Sequence, residues 1–135
     1  LISSPLTRAR QTANPLALKL GQIVHVNEAL AEIPSPVDLK NRKIWLRRFM
    51  TQKWSDQSRE ILGWRSDAMH FIQSIQSSSV LFTHFLLINA IVGNIIDEGN
   101  TLHFWPANCS VTHIISSDEN LKLISLGEQM RSVIN

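Results

Sequence analysis

Short apolar segments alternate with segments of helical periodicity along the chain, and this alternation constrains the fold more than any other feature. The clearest case is the apolar run 80–83, which ends in His84 and is followed by the largely apolar stretch 85–96. A short continuous apolar run is typical of a strand buried on both faces of a parallel sheet. Because helices that connect parallel strands cross over the sheet, the pattern predicts an α/β sandwich with a mostly parallel sheet.

Capping residues and prolines predict where several elements begin and end. Gly21 can act as the C-terminal cap of a first helix that ends at Leu20, although Asn14 and Pro15 could also begin a helix there. Ser58 can cap a later helix whose apolar residues recur at helical spacing. The other predicted elements are a strand over 23–26, a helix over 38–53 with an apolar stripe and a basic face, a helix over 85–96, and late strands over 110–116 and 121–125 joined by a turn over 117–120.

Length and composition fit a single domain over residues 1–135. The chain has 135 residues, of which 44% are hydrophobic and 18% charged, so it can form a core and has no signature of disorder. A formal net charge of +2 gives no reason to expect nucleic acid binding. We expect no membrane span, because no apolar run reaches the roughly 20 residues that one requires. The single cysteine and the lack of a signal-peptide pattern favour the cytoplasm.

Two segments carry a recognisable motif. Residues 3–13 read SSPLTRARQTA, and residues 80–84 read VLFTH. The first resembles the second conserved segment of the histidine phosphatases, the superfamily that includes the phosphoglycerate mutases. The second resembles a later strand of that family, which ends in a histidine of the phosphate pocket. The resemblance spans the chain and implies a phosphoglycerate mutase-like three-layer α/β/α sandwich, one first helix kinked at Pro15, and binding of a phosphorylated small molecule or phosphate without a cofactor.

The resemblance also implies a nucleophile that these residues do not contain. In the family, a histidine in an Arg-His-Gly motif lies on a strand upstream of the Ser-Pro-Leu segment. We therefore expect the first strand of the sheet to be missing from this chain, leaving a slot between the strand that ends at His84 and the strand near Val111. Unpaired backbone groups are costly when buried, so another segment or another chain should fill the slot. A homodimer is one arrangement that would do so.

Arg8 and His84 are the candidate phosphate-binding residues. Both follow predicted strands, and parallel sheets bind ligands at the carboxyl ends of their strands. A guanidinium is a planar fork of donors that matches a phosphoryl group, and a helix start adds free backbone N–H groups. In the resembled family the second histidine donates hydrogen bonds to the transferring group, which implies a catalytic role for His84. The family often has glycines after this histidine, where this chain has Phe85 and Leu86, and Arg10 is expected to be exposed.

The sequence offers two candidates for a general acid. A leaving alkoxide needs a proton, and a carboxyl group supplies it best when its pKa is raised toward neutrality. The resembled family carries its acid in a loop after the strand that follows the Ser-Pro-Leu helix, which implies that Glu32 is catalytic. Glu28 lies in the same region and is the alternative. Either carboxylate could instead belong to a solvated loop.

Basic residues concentrate in residues 34–57, the segment that forms a lid over the pocket in the resembled family. They could attract a phosphorylated substrate, or they could form a solvated helix face whose aliphatic stems cover apolar surface. We therefore do not include them among the catalytic residues. They are Lys40, Arg42, Lys43, Arg47, Arg48 and Lys53.

The remaining histidines give no reason to expect a metal. His25, His70, His103 and His113 lie on separate predicted elements, and none forms a zinc-ligand spacing with Cys109. The four tryptophans are expected to pack in the core and the lid.

Two functions are consistent with these residues. The first is a phosphomonoester hydrolase of the histidine phosphatase type, which acts through a phosphohistidine and which we expect to be inactive as this chain because the nucleophile is missing. The second is a non-catalytic module of the same fold that binds an anion or a partner protein.

Overall fold

The computed structural model describes residues 1–118 and 120–131, so residue 119 of the predicted turn and residues 132–135 of the predicted domain lie outside the described part. Its first sheet is parallel and consists of β1 (Ile2–Ser3), β2 (His25–Val26) and β3 (Leu81–Phe82) in the order β2-β1-β3. Ile2 pairs with His25 on one side and with Leu81 on the other. The predicted α/β class and the parallel pairing are confirmed.

Four helices accompany the sheet: α1 (Thr7–Leu20), α2 (Arg42–Phe49), α3 (Arg59–Ser74) and α4 (Phe85–Ile95). Pro15 lies inside α1, which confirms one continuous first helix, and Gly21 ends it in the left-handed conformation with φ of 61°. The Ser58 side chain caps α3, as predicted, by accepting a hydrogen bond from the Ile61 amide at 3.3 Å. Short 3-10 helices cover Glu28–Leu30 and Trp54–Asp56.

Several elements are shorter than the sequence predicts. The helix expected over 38–53 begins only at Arg42, because the Asp38 carboxylate accepts hydrogen bonds from the backbone and side-chain amides of Asn41 and holds a turn there. The strand expected over 23–26 keeps only its last two residues, His25–Val26, in the ladder. Periodicity indicates where an element lies, whereas its ends depend on local capping and on neighbouring chain segments.

Two apolar clusters surround the carboxyl ends of the strands. The first joins the Leu30 side chain to α3 and α4 and extends to Ile2 and Leu81 of the sheet. The second joins Ile33 to Phe49 of α2, to Trp54 and to the start of α4. Ile33 and Phe49 are each 1% exposed, so the loop after β2 and helix α2 are held in one packed unit.

A buried amide ties the segment after α4 to the helix. The Asn89 side chain of α4 donates to the Phe104 carbonyl at 3.0 Å, and its oxygen accepts from the His103 and Phe104 amides. Asn89 is fully buried, and its amide nitrogen also donates to the Phe85 carbonyl. This network fixes the chain that leads to the late strands.

The late strands form a separate antiparallel pair, β4 (His113–Ser117) and β5 (Asn120–Ser125). The predicted strand at 110–116 is wrong at its start, because residues 110–112 lie outside β4. Within the described residues, no segment pairs with β3 on the side away from β1, so β3 and β4 are not joined in one sheet. This agrees with the expectation that these two strands do not pair directly.

The outer edge of β3 carries backbone groups that have no strand partner among residues 1–118 and 120–131. The carbonyls of Val80 and Phe82 accept hydrogen bonds from Ile2 and Ser4 of the β1 side. Since consecutive strand residues direct their backbone groups to opposite edges, Leu81 and Thr83 direct theirs away from β1. Val80 is 44% exposed and residues 81–83 are only partly buried, so the predicted burial of this strand on both faces is wrong.

Across residues 1–118 and 120–131, no helix has both the length and the hydropathy to cross a membrane.

Candidate functional site

A groove of about 1250 Å³ runs along the free edge of β3. Residues 79–84 form one wall and residues 106–116 face them, while apolar side chains of α3 and α4 also line it. Arg8, Glu32 and His84 all line this groove, so the structure brings together the three residues that the sequence analysis selected. The volume exceeds the range of about 300–1,000 Å³ that is usual for small-molecule pockets. A phosphate group alone would therefore occupy a small part of it.

Arg8 reaches the groove from the first turn of α1. Its side chain is exposed, as is that of Arg10, but only Arg8 of these two lines the groove. Leu6 at the N-cap supplies no side-chain cap, and the first backbone bonds within the turn are made by the Ala9 and Arg10 amides. The amides of the preceding helical residues remain available, so a cation and free N–H donors occur together at this helix start.

His84 is the N-cap residue of α4 and is 6% exposed. Its Nε2 atom lies 2.7 Å from the Ser4 hydroxyl oxygen. That oxygen already accepts a hydrogen bond from the Leu6 amide, and no other acceptor for the Ser4 hydroxyl proton occurs among the described residues. Donation to Nε2 satisfies this buried hydroxyl, and it assigns the ring proton of neutral His84 to Nδ1. Nδ1 is then a hydrogen-bond donor.

Burial keeps His84 neutral. It lowers the pKa of the imidazole to about 4, and the positive charge of Arg8 acts in the same direction. At neutral pH the ring therefore offers a dipolar donor rather than a cation. The positive charge beside the ring comes from Arg8.

Glu32 lies in the loop after β2 and is partly buried. Burial raises the pKa of its carboxyl group, while the backbone amides of Ile33 and Leu86 and the charges of Arg8 and Arg42 oppose that rise. The Ile33 amide donates to Glu32 Oε1 at 3.0 Å. Among the described residues, the alternative carboxylate Glu28 is exposed in the 3-10 helix and does not line the groove. The geometry therefore favours Glu32.

Two residues that contact the predicted site residues or their loop, Ser4 and Arg42, are not among the catalytic or phosphate-binding residues that the sequence predicts. Ser4 is fully buried and holds the His84 ring. In the sequence, its position directly after a short apolar strand is the feature that could have indicated this role. Arg42 begins α2 and donates to the Ile33 carbonyl at 3.1 Å. Its five basic companions in residues 34–57 are exposed: Lys40, Lys43, Arg47, Arg48 and Lys53. The role of residues 34–57 as a lid stays a prediction.

The groove offers no set of metal ligands in the part of the chain that the structure describes, where no group of three or more His, Cys, Asp or Glu side chains could hold a metal ion. Cys109 is a free, exposed thiol on the groove wall.

The expectation that all tryptophans pack in the core or the lid is wrong for Trp105, which is 49% exposed and contacts Phe85 with ring centroids 5.1 Å apart.

Comparison with known proteins gives one family and one fold. The sequence model of the histidine phosphatase superfamily (branch 1) matches residues 1–129. A solved mycobacterial glucosyl-3-phosphoglycerate phosphatase is similar in structure, with a TM-score of 0.66 and 20% sequence identity over 96% of this chain and 77% of that chain. A search of curated proteins finds no match.

Proposed function

This chain belongs to the histidine phosphatase superfamily (branch 1), and from that premise we propose that its groove contains the phosphate-binding part of a phosphomonoester hydrolase active site. In this proposal Arg8 binds the phosphoryl group, Nδ1–H of His84 donates to one of its oxygens, and Glu32 protonates the leaving alkoxide. The substrate class is a small phosphorylated alcohol. The structurally similar mycobacterial protein is a glucosyl-3-phosphoglycerate phosphatase, which supports this substrate class without identifying the substrate.

The observation that carries the proposal is the placement of Arg8. Its charge acts on both the Glu32 carboxyl and the His84 ring, although these groups come from three separate elements. A cation, a neutral donor and a carboxyl group with a raised pKa therefore face one groove. Phosphoryl transfer requires donors and a cation that neutralise the charge on the phosphoryl oxygens, and an acid that protonates the leaving group. These three groups have the chemistry for both tasks.

The nucleophile is the part that these residues do not supply. None of the five histidines stands in an Arg-His-Gly sequence. In a phosphohistidine route an imidazole nitrogen forms the bond to phosphorus, the bond to the ester oxygen breaks, and a carboxyl proton goes to that oxygen. We expect the 135 residues by themselves to bind phosphate and to show no rapid turnover.

We further propose that the groove receives an extended strand that carries this histidine. Leu81 and Thr83 present free backbone groups along one wall, and Ile72, Ile88 and Ile91 give the interior an apolar lining. An extended segment with alternating apolar residues could pair with β3 and bury one side chain face on that lining. Its carboxyl end would then lie near Arg8 and His84.

Phosphate binding tests the arginine. Inorganic phosphate is titrated into the protein by calorimetry, and Arg8→Gln is compared with Arg10→Gln, which removes the same charge from an exposed neighbour on α1. We expect R8Q to weaken binding about tenfold or more, since charge-assisted hydrogen bonds contribute about 1.5–3 kcal/mol, and R10Q to leave it nearly unchanged. Equal affinities in the two variants would contradict the proposed site.

Strand complementation tests the nucleophile. A synthetic peptide with an apolar strand followed by Arg-His-Gly is added to the protein with a ³²P-labelled phosphomonoester. We expect acid-labile label on the peptide histidine and none with a peptide that has Asn in its place. If the peptide binds but neither label nor turnover follows, the second function of the sequence analysis, a non-catalytic anion-binding module, describes this chain better. A stable dimer that excludes the peptide would assign the groove to a second copy instead.

A further inference from the structure

Arg42 stands apart from the other basic residues of 34–57 because it has a partner. Its Nη2 atom donates to the Ile33 carbonyl at 3.1 Å, and its side chain is partly buried where the others are exposed. Ile33 directly follows Glu32, and the Ile33 amide donates to the Glu32 carboxylate at 3.0 Å. The amide of Ile33 thus contacts the carboxylate while the carbonyl of the same residue contacts the guanidinium.

The same helix holds this loop at a second point. Phe49, the last residue of α2, packs with Ile33 in a cluster where both side chains are 1% exposed. Arg42 is the first residue of that helix. The backbone around Ile33 is therefore attached to both ends of α2, by a hydrogen bond at the start and by apolar packing at the end.

The charges around Glu32 come from three directions. Arg8 on α1 and Arg42 on α2 each favour the carboxylate form, and so do the backbone amides of Ile33 and of Leu86 in α4. His84, neutral at pH 7, lines the same groove and adds no charge. Burial is the largest influence and opposes all four. Arg42 is the one cation in this set that does not line the groove, so it acts on a ligand through Glu32.

We propose that Arg42 is a positioning residue that clamps the Glu32 loop to α2 and holds a cation beside the carboxyl group, so that the guanidinium biases Glu32 toward its charged form. The inference rests on the proposed role of Glu32 as proton donor. The Arg42 charge favours release of the Glu32 proton and opposes the burial that raises the pKa of this carboxyl group. Loss of the guanidinium would remove this charge and the hydrogen bond to the Ile33 carbonyl together.

A titration of Glu32 tests the coupling without any need for turnover. The ¹³Cδ signals of the glutamates are followed by NMR from pH 3 to 9, and the Glu32 signal is assigned by its disappearance in Glu32→Gln. We expect Arg42→Gln to raise the Glu32 pKa and Arg42→Lys, which keeps the charge, to leave it closer to that of the unchanged protein. Arg47→Gln removes an exposed charge from the same helix and should leave the titration unchanged.

Amide hydrogen exchange provides the second readout. R42Q should speed exchange in residues 33–41, because the Ile33 carbonyl loses its side-chain donor, whereas R47Q should not. Identical Glu32 titrations in R42Q and R47Q would overturn the inference, and so would equal exchange in both. Thermal unfolding of each variant confirms that the folded state is being titrated. Because these measurements need neither phosphate nor a nucleophile, a failed phosphate or labelling experiment would reject the proposed function and leave this coupling standing.

Discussion

The Ser4 hydroxyl and the His84 ring are joined by a buried contact of 2.7 Å between residues 80 positions apart. Ser4 directly follows β1, and His84 follows the end of β3, so parallel pairing of these two strands brings the side chains together. The hydroxyl orients the ring and determines which nitrogen carries its proton. Ser4, a residue outside the recognised arginine and histidine pair, thereby determines which ring nitrogen of His84 is a donor.

Ser4→Ala should free the His84 ring. We expect the unfolding free energy to fall by about 1–3 kcal/mol, since a buried nitrogen loses its partner, and phosphate binding to weaken as the Nδ1–H form loses its preference. The ring ¹⁵N chemical shifts report the tautomer directly. Ser3→Ala is the matched control, because Ser3 is equally buried but its hydroxyl donates only to the Ser4 carbonyl. Unchanged ¹⁵N shifts in S4A would show that the hydroxyl does not select the tautomer.

His84 should make the protein sensitive to acid. Its pKa in the folded protein is about 4, below the ordinary value of 6.5. As the pH falls, the imidazole is therefore protonated in the unfolded state before it is protonated in the folded state. Stability is therefore full above pH 6.5 and decreases as the pH falls toward 4. Glu32 has a raised pKa, so its contribution changes in the opposite direction and does not account for this loss. Urea unfolding between pH 4 and 7 should show a shallower pH slope in His84→Asn, and an unchanged slope would assign the effect elsewhere.

Asn89 should be among the most sensitive positions for stability. Replacement by Leu leaves the His103 amide and the Phe104 amide and carbonyl without their partner inside the protein. We expect a loss of about 3 kcal/mol or more, because each unsatisfied buried group costs about 1–3 kcal/mol. Asn94→Leu on the exposed face of the same helix should change the unfolding free energy by less than about 0.5 kcal/mol. Similar losses in both variants would contradict the role of the buried network.

Two glycines should respond in opposite ways to alanine. A Cβ at Gly63, inside α3, meets no atom within 4 Å, so G63A should stabilise the protein by about 0.5–1 kcal/mol through helix propensity. At Gly127 a Cβ would lie 2.6 Å from the Ser110 hydroxyl oxygen and 2.9 Å from its Cβ. G127A should therefore shift the groove wall at residue 110 and lower the melting temperature. Calorimetric scans of the two variants measure both effects, and a melting temperature for G127A equal to that of the unchanged protein would exclude the clash.

The sequence predicts the parts of the fold that depend on local chemistry. Gly21 caps the end of α1 through its left-handed backbone conformation, and Ser58 caps the start of α3 because its side-chain oxygen accepts a backbone hydrogen bond. Arg8 and His84 share a groove because parallel strands present their carboxyl ends at one edge, and that rule needs no coordinates. The motif resemblance adds Glu32, which lines the same groove, and its role as the acid stays a prediction.

Other features depend on contacts between distant segments. Ser4 becomes a partner of His84 only through the β1–β3 register, and Arg42 meets the Ile33 carbonyl only once α2 has packed against the loop after β2. Residues 110–112 have the composition of a strand but lie outside the ladder that β4 forms with β5 in the described part of the chain. Strand propensity alone does not form a ladder, so the sequence overestimates such segments.

The free edge of β3 also affects the tendency of the newly synthesised polypeptide to aggregate. Backbone groups that stay unpaired along an apolar wall are a template for ordered aggregation with other chains. Residues 79–84 contain neither proline nor lysine. Natural sheets often carry such residues on exposed edges, where they prevent pairing with other chains. We expect expression of these 135 residues alone to give inclusion bodies or chaperone-bound material, and a soluble fusion that covers the edge to raise the yield of folded protein.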